Sequence, residues 1–263
     1  MITDGKEMSF IPLTIVGQEL WFSQHIFNPN AYPTYVRGDV NACAAKLSLI
    51  EYSLKTIQKE IQYDKSKFIY ILINDKAFME FVPDPGKPVI AFYYSVNFQA
   101  GLQSFFISIK SLLDIFTKII SRLIEPGSNL RGFGKRKVDG MELAGGILLR
   151  WLNQNAPNTY ANKTSLITTV ISNIDEWISD VVIRRDEIVH YGILSNVSEM
   201  LVPLSKPPSL IKEDEIMLPS ILRKDHPVDL IEYCQEILEN ISHMLKKTVI
   251  LLPNIDFSLL DLS

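Results

Sequence analysis

The chain has 263 residues, of which 47% are hydrophobic, so it can bury a substantial core, and we expect one domain rather than two small ones. Its formal net charge of -4 gives no overall basic field, so any nucleic-acid contact would depend on a local patch. Its only cysteines, Cys43 and Cys234, lie far apart on predicted helix faces, which argues against a disulfide framework or a thiolate metal site. This composition fits a protein of a reducing cytoplasm.

Neither the start of the sequence nor its apolar stretches indicate export or membrane insertion. Residues 1–10 include Asp4, Lys6 and Glu7 and lack the basic-then-apolar order of a secretory signal. The most apolar stretches, such as 88–98, are shorter than the ~20 residues that a membrane-spanning helix needs. We therefore expect a cytoplasmic protein with no membrane partner.

The first third of the chain alternates between irregular and helical patterns. Prolines and glycines punctuate residues 1–38, which predicts an irregular lead-in or short strands. From about 40 to 61, apolar residues recur at three- and four-residue steps and predict a helix; they are Leu47, Ile50, Leu54, Ile57 and Ile61. Residues 64–94 are predicted to be an insertion, and their β-branched and aromatic runs between prolines are typical of strands or a short helix.

The clearest pattern in the chain lies at about 95–124, where a continuous apolar stripe predicts the central helix. Glu125, Pro126 and Gly127 end that helix. A short helix is predicted at about 140–153, with Leu143, Ile147, Leu148 and Trp151 facing inward.

The last third of the chain predicts two more helices. One runs from about 165 to 191 and stops at Gly192, and its inward stripe includes Ile167, Ile171 and Val189. Residues 197–221 hold four prolines and predict a second insertion, and a final helix spans about 227–251 with Pro227 near its first turn. The predicted fold class is mainly α, a helical bundle over about 40–252 with small β or irregular embellishments.

Arg185 falls on the apolar stripe of the predicted 165–191 helix, at a place where Ile or Leu would be expected. A buried guanidinium needs a carboxylate, backbone carbonyls or a bound anion, because it stays charged at physiological pH. Arg185 is therefore expected either to pair structurally or to face a cleft. His190 lies five positions later, ~140° around the helix and ~7.5 Å along it, so the two side chains do not share a face.

The segment from Arg185 and Asp186 to His190 resembles the motif of the HEPN superfamily of helical domains, in which an arginine, a polar residue and three further residues precede a histidine. The resemblance covers the helix with the motif and, more loosely, the helices that start near 95 and 227. It implies a metal-independent endoribonuclease in which the motifs of two subunits form one cleft. Many members act as toxins or in defence against phage, so a neutralising protein partner is also implied.

Carried over by this resemblance, His190 would act as general base or acid toward a ribose 2'-hydroxyl, Arg185 would stabilise charge on the phosphate, and Asp186 would orient the site. A subset of toxin-type members has a tyrosine two positions after the histidine, whereas here Tyr191 follows at once and Gly192 takes that place. Some members are non-catalytic, so the alternative is a helical binding or scaffolding module. In that alternative Arg185 bonds to a neighbouring carboxylate, and His190 interacts favourably with the helix dipole.

A second candidate for RNA contact is the basic segment that follows the central helix. Its cations are Arg131, Lys135, Arg136 and Lys137, interleaved with glycines and a Phe133 that could stack on a base. A mobile, solvated loop is the alternative. Tyr191 is a further weak candidate for RNA contact.

Other polar residues predict structural roles or none. Asp114 lies four residues from Lys110 and from Lys118, which favours exposed salt bridging. The histidines outside the motif have no partners at metal-ligand spacing, and His226 beside Pro227 is typical of a helix start. We expect no metal and no cofactor.

Overall fold

The computed structural model describes residues 14–15, 18–19, 26–74, 89–92, 95–138, 141–157, 160–191, 200–203, 216, 219–223 and 226–260. The chain is mainly helical with small two-stranded sheets, which confirms the predicted fold class at that level. The helices are α1 (Arg37–Asn74), α2 (Val96–Ile124), α3 (Gly146–Gln154), α4 (Lys163–Asn173), α5 (Ser179–Tyr191) and α6 (Leu230–Val249).

In the part of the chain that the structure describes, eight short strands pair in four antiparallel ladders. Two of the ladders join strands that are close in sequence. They pair β1 (Thr14–Ile15) with β2 (Gln18–Glu19), and β4 (Arg136–Val138) with β5 (Met141–Leu143). The ladder of β3 (Val89–Phe92) with β6 (Met200–Pro203) joins the two predicted insertions. The last ladder pairs β7 (Ser220–Arg223) with β8 (His226–Asp229) just before α6.

Helices α1 and α2 form the most extensive packing pair of the described chain. Every apolar position that predicted the first helix is buried, and Phe98, Phe105 and Ile109 of α2 belong to the same core. Full burial of side chains of this size contributes roughly 1.5–3 kcal/mol each. The predicted central helix is therefore correct in its bounds and its role, whereas α1 extends beyond its predicted end at residue 61 to Asn74.

The predicted 165–191 helix is present as α4, a π-helical turn at Ile174–Ile178 and α5 in direct succession. Most of the predicted inward stripe is buried, namely Val170, Ile174, Ile178, Val181 and Ile188. Ile171 and Val189, which are also predicted to face inward, are largely exposed. Each of these two follows a buried residue directly, so periodicity places the stripe correctly but makes it too wide.

Several predicted boundaries need correction. Helix α6 begins at Leu230, where the Asp229 side chain accepts hydrogen bonds from two backbone amides, so Pro227 and His226 lie in β8 and not in a helix start. Helix α3 begins at Gly146 and not near 140, because residues 141–143 form β5.

Part of the predicted irregular lead-in belongs to the core. Ile26, Phe27, Tyr32 and Val36 are buried, and the Tyr32 hydroxyl donates to the Ile26 carbonyl at 2.8 Å. This segment is irregular in backbone, as predicted, with two short 3-10 turns, but it contributes to the same hydrophobic cluster as α1 and α2.

Candidate functional site

The motif residues lie in the last two turns of α5, where Ile188 is buried in the core. Asp186 accepts hydrogen bonds from Arg185 Nη1 at 3.0 Å and from Lys135 Nζ at 2.6 Å, so the motif and the basic segment meet at one carboxylate. Partial burial favours the protonated form of Asp186, but the bonds from Lys135 and Arg185 outweigh it and hold the pKa of Asp186 below its ordinary value. The carboxylate is therefore ionised at neutral pH and neutralises part of the local positive charge.

Arg185 is not the buried cation that the sequence predicts. Its side chain is 34% exposed, whereas its neighbour Arg184 is 4% exposed. The buried line of the helix passes through Trp177, Val181 and Arg184, so the expected polar interruption exists one residue earlier than predicted. The predicted stripe is largely buried, but Arg185 lies at its edge and Arg184 lies within it.

Arg184 makes the contacts with a carboxylate and a backbone carbonyl that the sequence analysis expects of Arg185. It donates through Nη2 to the Leu222 carbonyl of β7 and forms an ion pair with Asp180 Oδ1 at 3.2 Å. The other oxygen of Asp180 accepts from the Tyr233 hydroxyl of α6 at 2.5 Å. Among the described residues, the buried Arg184 Nε has no hydrogen-bond partner.

The Arg184 network joins three elements. Burial raises the pKa of Tyr233, and the adjacent Asp180 carboxylate raises it further, so Tyr233 remains a hydrogen-bond donor. On the same hairpin, Arg223 forms an ion pair with Glu236 of α6 at 2.5 Å. The network thus fixes the β7–β8 hairpin against α5 and α6.

His190 lies in the last turn of α5, and its side chain is exposed. Of the other predicted RNA-contact residues, Arg131, Lys135 and Arg136 are also exposed. The side chains of Lys137 in β4 and of Tyr191 at the end of α5 lie outside the described set. The structure therefore brings Arg185, Asp186 and Lys135 into contact and leaves the imidazole accessible nearby on the same helix.

The basic segment is anchored to the central helix, contrary to the prediction of a mobile loop. Asp114 accepts from the Phe133 amide at 2.6 Å and from Lys110 Nζ at 2.5 Å. Gly132 has φ +155°, and a Cβ built there would lie 2.6 Å from Asp114 Oδ1, so a larger residue would disturb this anchor. The predicted Lys110–Asp114 ion pair is confirmed, and Asp114 has the additional role of holding the segment.

Phe133 does not offer a stacking surface. It is buried in the hydrophobic core, beside Leu113, Phe116 and Leu148 around a small internal space. The ring packs into the core and stabilises the basic segment. The prediction that Phe133 stacks on a base is therefore wrong. The exposed cations on either side of it remain available to solvent.

Cys43 and Cys234 are buried, and burial raises the pKa of both thiols, so both are neutral thiols of the core. Within the described ranges, no group of three or more His, Cys, Asp or Glu side chains could hold a metal ion. None of the described helices combines the length and apolarity needed to span a bilayer.

No family model, no curated protein and no solved structure matches this chain. The resemblance to the HEPN superfamily therefore stays a prediction that rests on the motif and its surroundings.

Proposed function

We propose that this chain is a metal-independent endoribonuclease of the HEPN type, which acts as a homodimer and takes part in toxicity or defence against phage. The observation that supports the proposal is the charge cluster of Arg185, Asp186 and Lys135, with an exposed His190 at the end of the same helix. An accessible imidazole and an accessible guanidinium are the groups that RNA cleavage without metal requires.

In the proposed reaction, one His190 accepts the proton of a ribose 2'-hydroxyl as its oxygen attacks the adjacent phosphorus. The bond from phosphorus to the 5'-oxygen breaks, and a second, protonated His190 donates a proton to that leaving oxygen. The products are a 2',3'-cyclic phosphate and a 5'-hydroxyl end. Arg185 stabilises the charge that grows on the phosphate oxygens, and Asp186 orients Arg185 through their hydrogen bond.

The dimer is part of the proposal because of helix geometry. Five helical residues separate His190 from Arg185 by ~140° around the axis and ~7.5 Å along it. One α5 therefore presents the two groups in different directions, and a second subunit with its α5 alongside supplies the missing member of each pair.

The direct test is cleavage of RNA by purified protein in the presence of a chelator. We expect His190→Ala and Arg185→Ala to lower the rate by roughly 10²-fold or more. His243→Ala is the matched control, because His243 is an exposed histidine on α6, and it should cleave like the wild type. Undiminished cleavage by His190→Ala would assign the activity elsewhere.

The association state gives a second test. Light scattering should report a dimer at the concentrations at which cleavage is measured. A monomer that cleaves RNA at those concentrations would contradict the composite site while leaving the role of His190 open to the mutant assay.

The second candidate function is a non-catalytic helical binding or scaffolding module. The observation that favours it is the double pairing of Asp186, since its two oxygens already engage Lys135 and Arg185 in the described chain. Absence of cleavage across structured and single-stranded RNAs, by protein shown to be folded, would decide in favour of this module.

A further inference from the structure

Helix α1 presents three exposed tyrosines along one line, away from the motif on α5. Tyr52, Tyr63 and Tyr70 are 61%, 59% and 68% exposed. At about 100° per residue, their spacings return them to within ~20° of one another, and at about 1.5 Å per residue the line is ~27 Å long. Large aromatic side chains that are this exposed, in register over five turns, contribute little to the core.

The accessible charge beside these tyrosines is positive. Lys59 lies on the same line between Tyr52 and Tyr63, within ~20° of the former, and its side chain is exposed, as is that of Lys67. The nearby acids are engaged at the start of α2, where the Ser95 amide donates to Asp64 at 2.9 Å and the Ser95 hydroxyl donates to Glu60 at 3.2 Å. Both carboxylates keep their charge but are partly buried, so the exposed charged side chains beside the tyrosines are those of the two lysines.

A groove of about 530 Å³ opens between α1 and α2 beside Tyr52 and Lys59. Its walls carry hydroxyl and amide groups from Ser53, Thr56, Asn97 and Ser104. The helices approach closely at its base, where a Cβ on Gly101 would lie 3.3 Å from Ile57 and Thr56 side-chain atoms. The groove is thus a mainly apolar recess at one end of the tyrosine line, with these polar groups, Lys59 and Glu60 at its walls.

We propose that Tyr52, Lys59, Tyr63 and Tyr70, here called the α1 stripe, bind single-stranded RNA. Bases stack on the tyrosine rings, phosphates lie near Lys59 and Lys67, and one nucleotide enters the groove beside Tyr52. The assignment of RNA as the occupant rests on the proposed function, whereas the binding surface is a different one from the motif on α5.

Two features favour RNA over a protein partner on the α1 stripe. Lysines are depleted from the centres of protein interfaces, yet Lys59 lies between two of the tyrosines. Rings spaced along a line with cations between them match the requirements of a single strand, in which bases and phosphates alternate. Among the described residues that line the groove, the exposed aliphatic side chains are those of Leu49 and Ala100, a small apolar area for a protein interface.

The test measures the affinity of the full-length protein for a 2'-O-methyl oligouridine of about ten nucleotides, a length within known single-strand site sizes, by fluorescence anisotropy. The 2'-O-methyl group prevents cleavage, so binding is measured independently of catalysis. Each of Tyr52→Ala, Tyr63→Ala and Tyr70→Ala should weaken binding by roughly tenfold, and the corresponding Phe variants should retain it, because stacking uses the ring. Tyr35→Ala is the matched control, since Tyr35 is 46% exposed but lies outside α1.

Charge is tested by salt dependence. Lys59→Ala should reduce the slope of log affinity against log salt by about 1, whereas Lys46→Ala, on α1 but ~120° from Tyr52, should leave it unchanged. Unchanged affinity in all three tyrosine variants, or no binding by the wild type, would overturn the stripe. A changed oligomeric state in the alanine variants with unchanged oligonucleotide affinity would overturn it in favour of a protein interface.

These outcomes separate the stripe from the nuclease. Binding that depends on the tyrosines without any cleavage of ordinary RNA would retain the stripe and reject the nuclease. Cleavage that depends on His190, together with an RNA affinity that is unchanged in the tyrosine variants, would retain the nuclease and reject the stripe.

Discussion

Arg184 and Arg185 are consecutive residues of α5, yet they lie in opposite environments. Arg184 is buried and bonded to the Leu222 carbonyl and to Asp180, whereas Arg185 is about one-third exposed and shares Asp186 with Lys135. A helix turns by about 100° per residue, so neighbouring side chains face different surroundings. The difference separates a cation that holds the fold together from one that remains accessible for chemistry.

The largest expected effect follows from truncating the buried member. Arg184→Ala should destabilise the protein by roughly 1.5–3 kcal/mol, because it removes a buried guanidinium together with its bonds to the partly exposed Asp180 and to the Leu222 carbonyl. Arg185→Ala should cost less than about 1 kcal/mol, because its ion pair is partly solvated. Urea unfolding of the two variants measures both values.

Equal stability losses in Arg184→Ala and Arg185→Ala would show that the two arginines contribute equally to the stability of the fold. Arg184→Met is the informative control, because it keeps apolar volume without charge and so separates lost packing from lost ion pairing. A stability close to that of Arg184→Ala would assign the effect to the charge.

The same pair of residues explains how far the sequence predicts this molecule. The bounds of α2 are predicted to within one residue, because nearly all of its apolar residues lie on one face of the helix. Around Arg184 the apolar residues Ile183 and Val189 are exposed, and a π-helical turn precedes α5. The apolar pattern therefore predicts a buried arginine but places it at Arg185 instead of Arg184.

Tertiary contacts account for what the sequence could not show at the candidate site. Lys135 and Asp186 are far apart in the chain, and nothing in their local patterns indicates that they meet at 2.6 Å. Likewise, glycines and cations surround Phe133 in the sequence, which predicts an exposed aromatic side chain in a loop. Its burial depends on contacts with α2 and α3. The motif itself was readable because its residues are close together in sequence.

Two carboxylates also differ in their surroundings. Glu51 of α1 is partly exposed as a residue, but its Oε1 atom is buried. Burial raises the pKa of Glu51 from 4.5 to about 7, although Lys55 partly offsets the shift. Among the described residues, its buried Oε1 has no hydrogen-bond partner. Because the folded chain holds this proton more tightly than the unfolded chain, stability should fall as pH rises from about 4.5 through 7.

Glu51→Gln removes that titration. It should stabilise the protein at pH values above 7 by on the order of 2 kcal/mol relative to the wild type, with little difference near the ordinary pKa of the carboxyl. Urea unfolding at several pH values measures the difference. A gap between the two proteins that stays constant with pH would show that Glu51 titrates normally.

Asp186 is the accessible example, and its expected effect on stability is the smallest. Its pKa is lowered by Lys135 and Arg185 against the opposing effect of burial, so its contribution is present above its ordinary pKa and is lost as pH falls through the lower folded value. Asp186→Asn keeps the shape of the side chain and removes the charge, which should cost less than about 1 kcal/mol at neutral pH and nothing in strong acid. If Asp186 orients Arg185 as proposed, the same variant lowers cleavage several-fold while its unfolding curve barely moves. A stability loss comparable to that of Arg184→Ala would instead place Asp186 with the residues that hold the fold, and would favour the non-catalytic module.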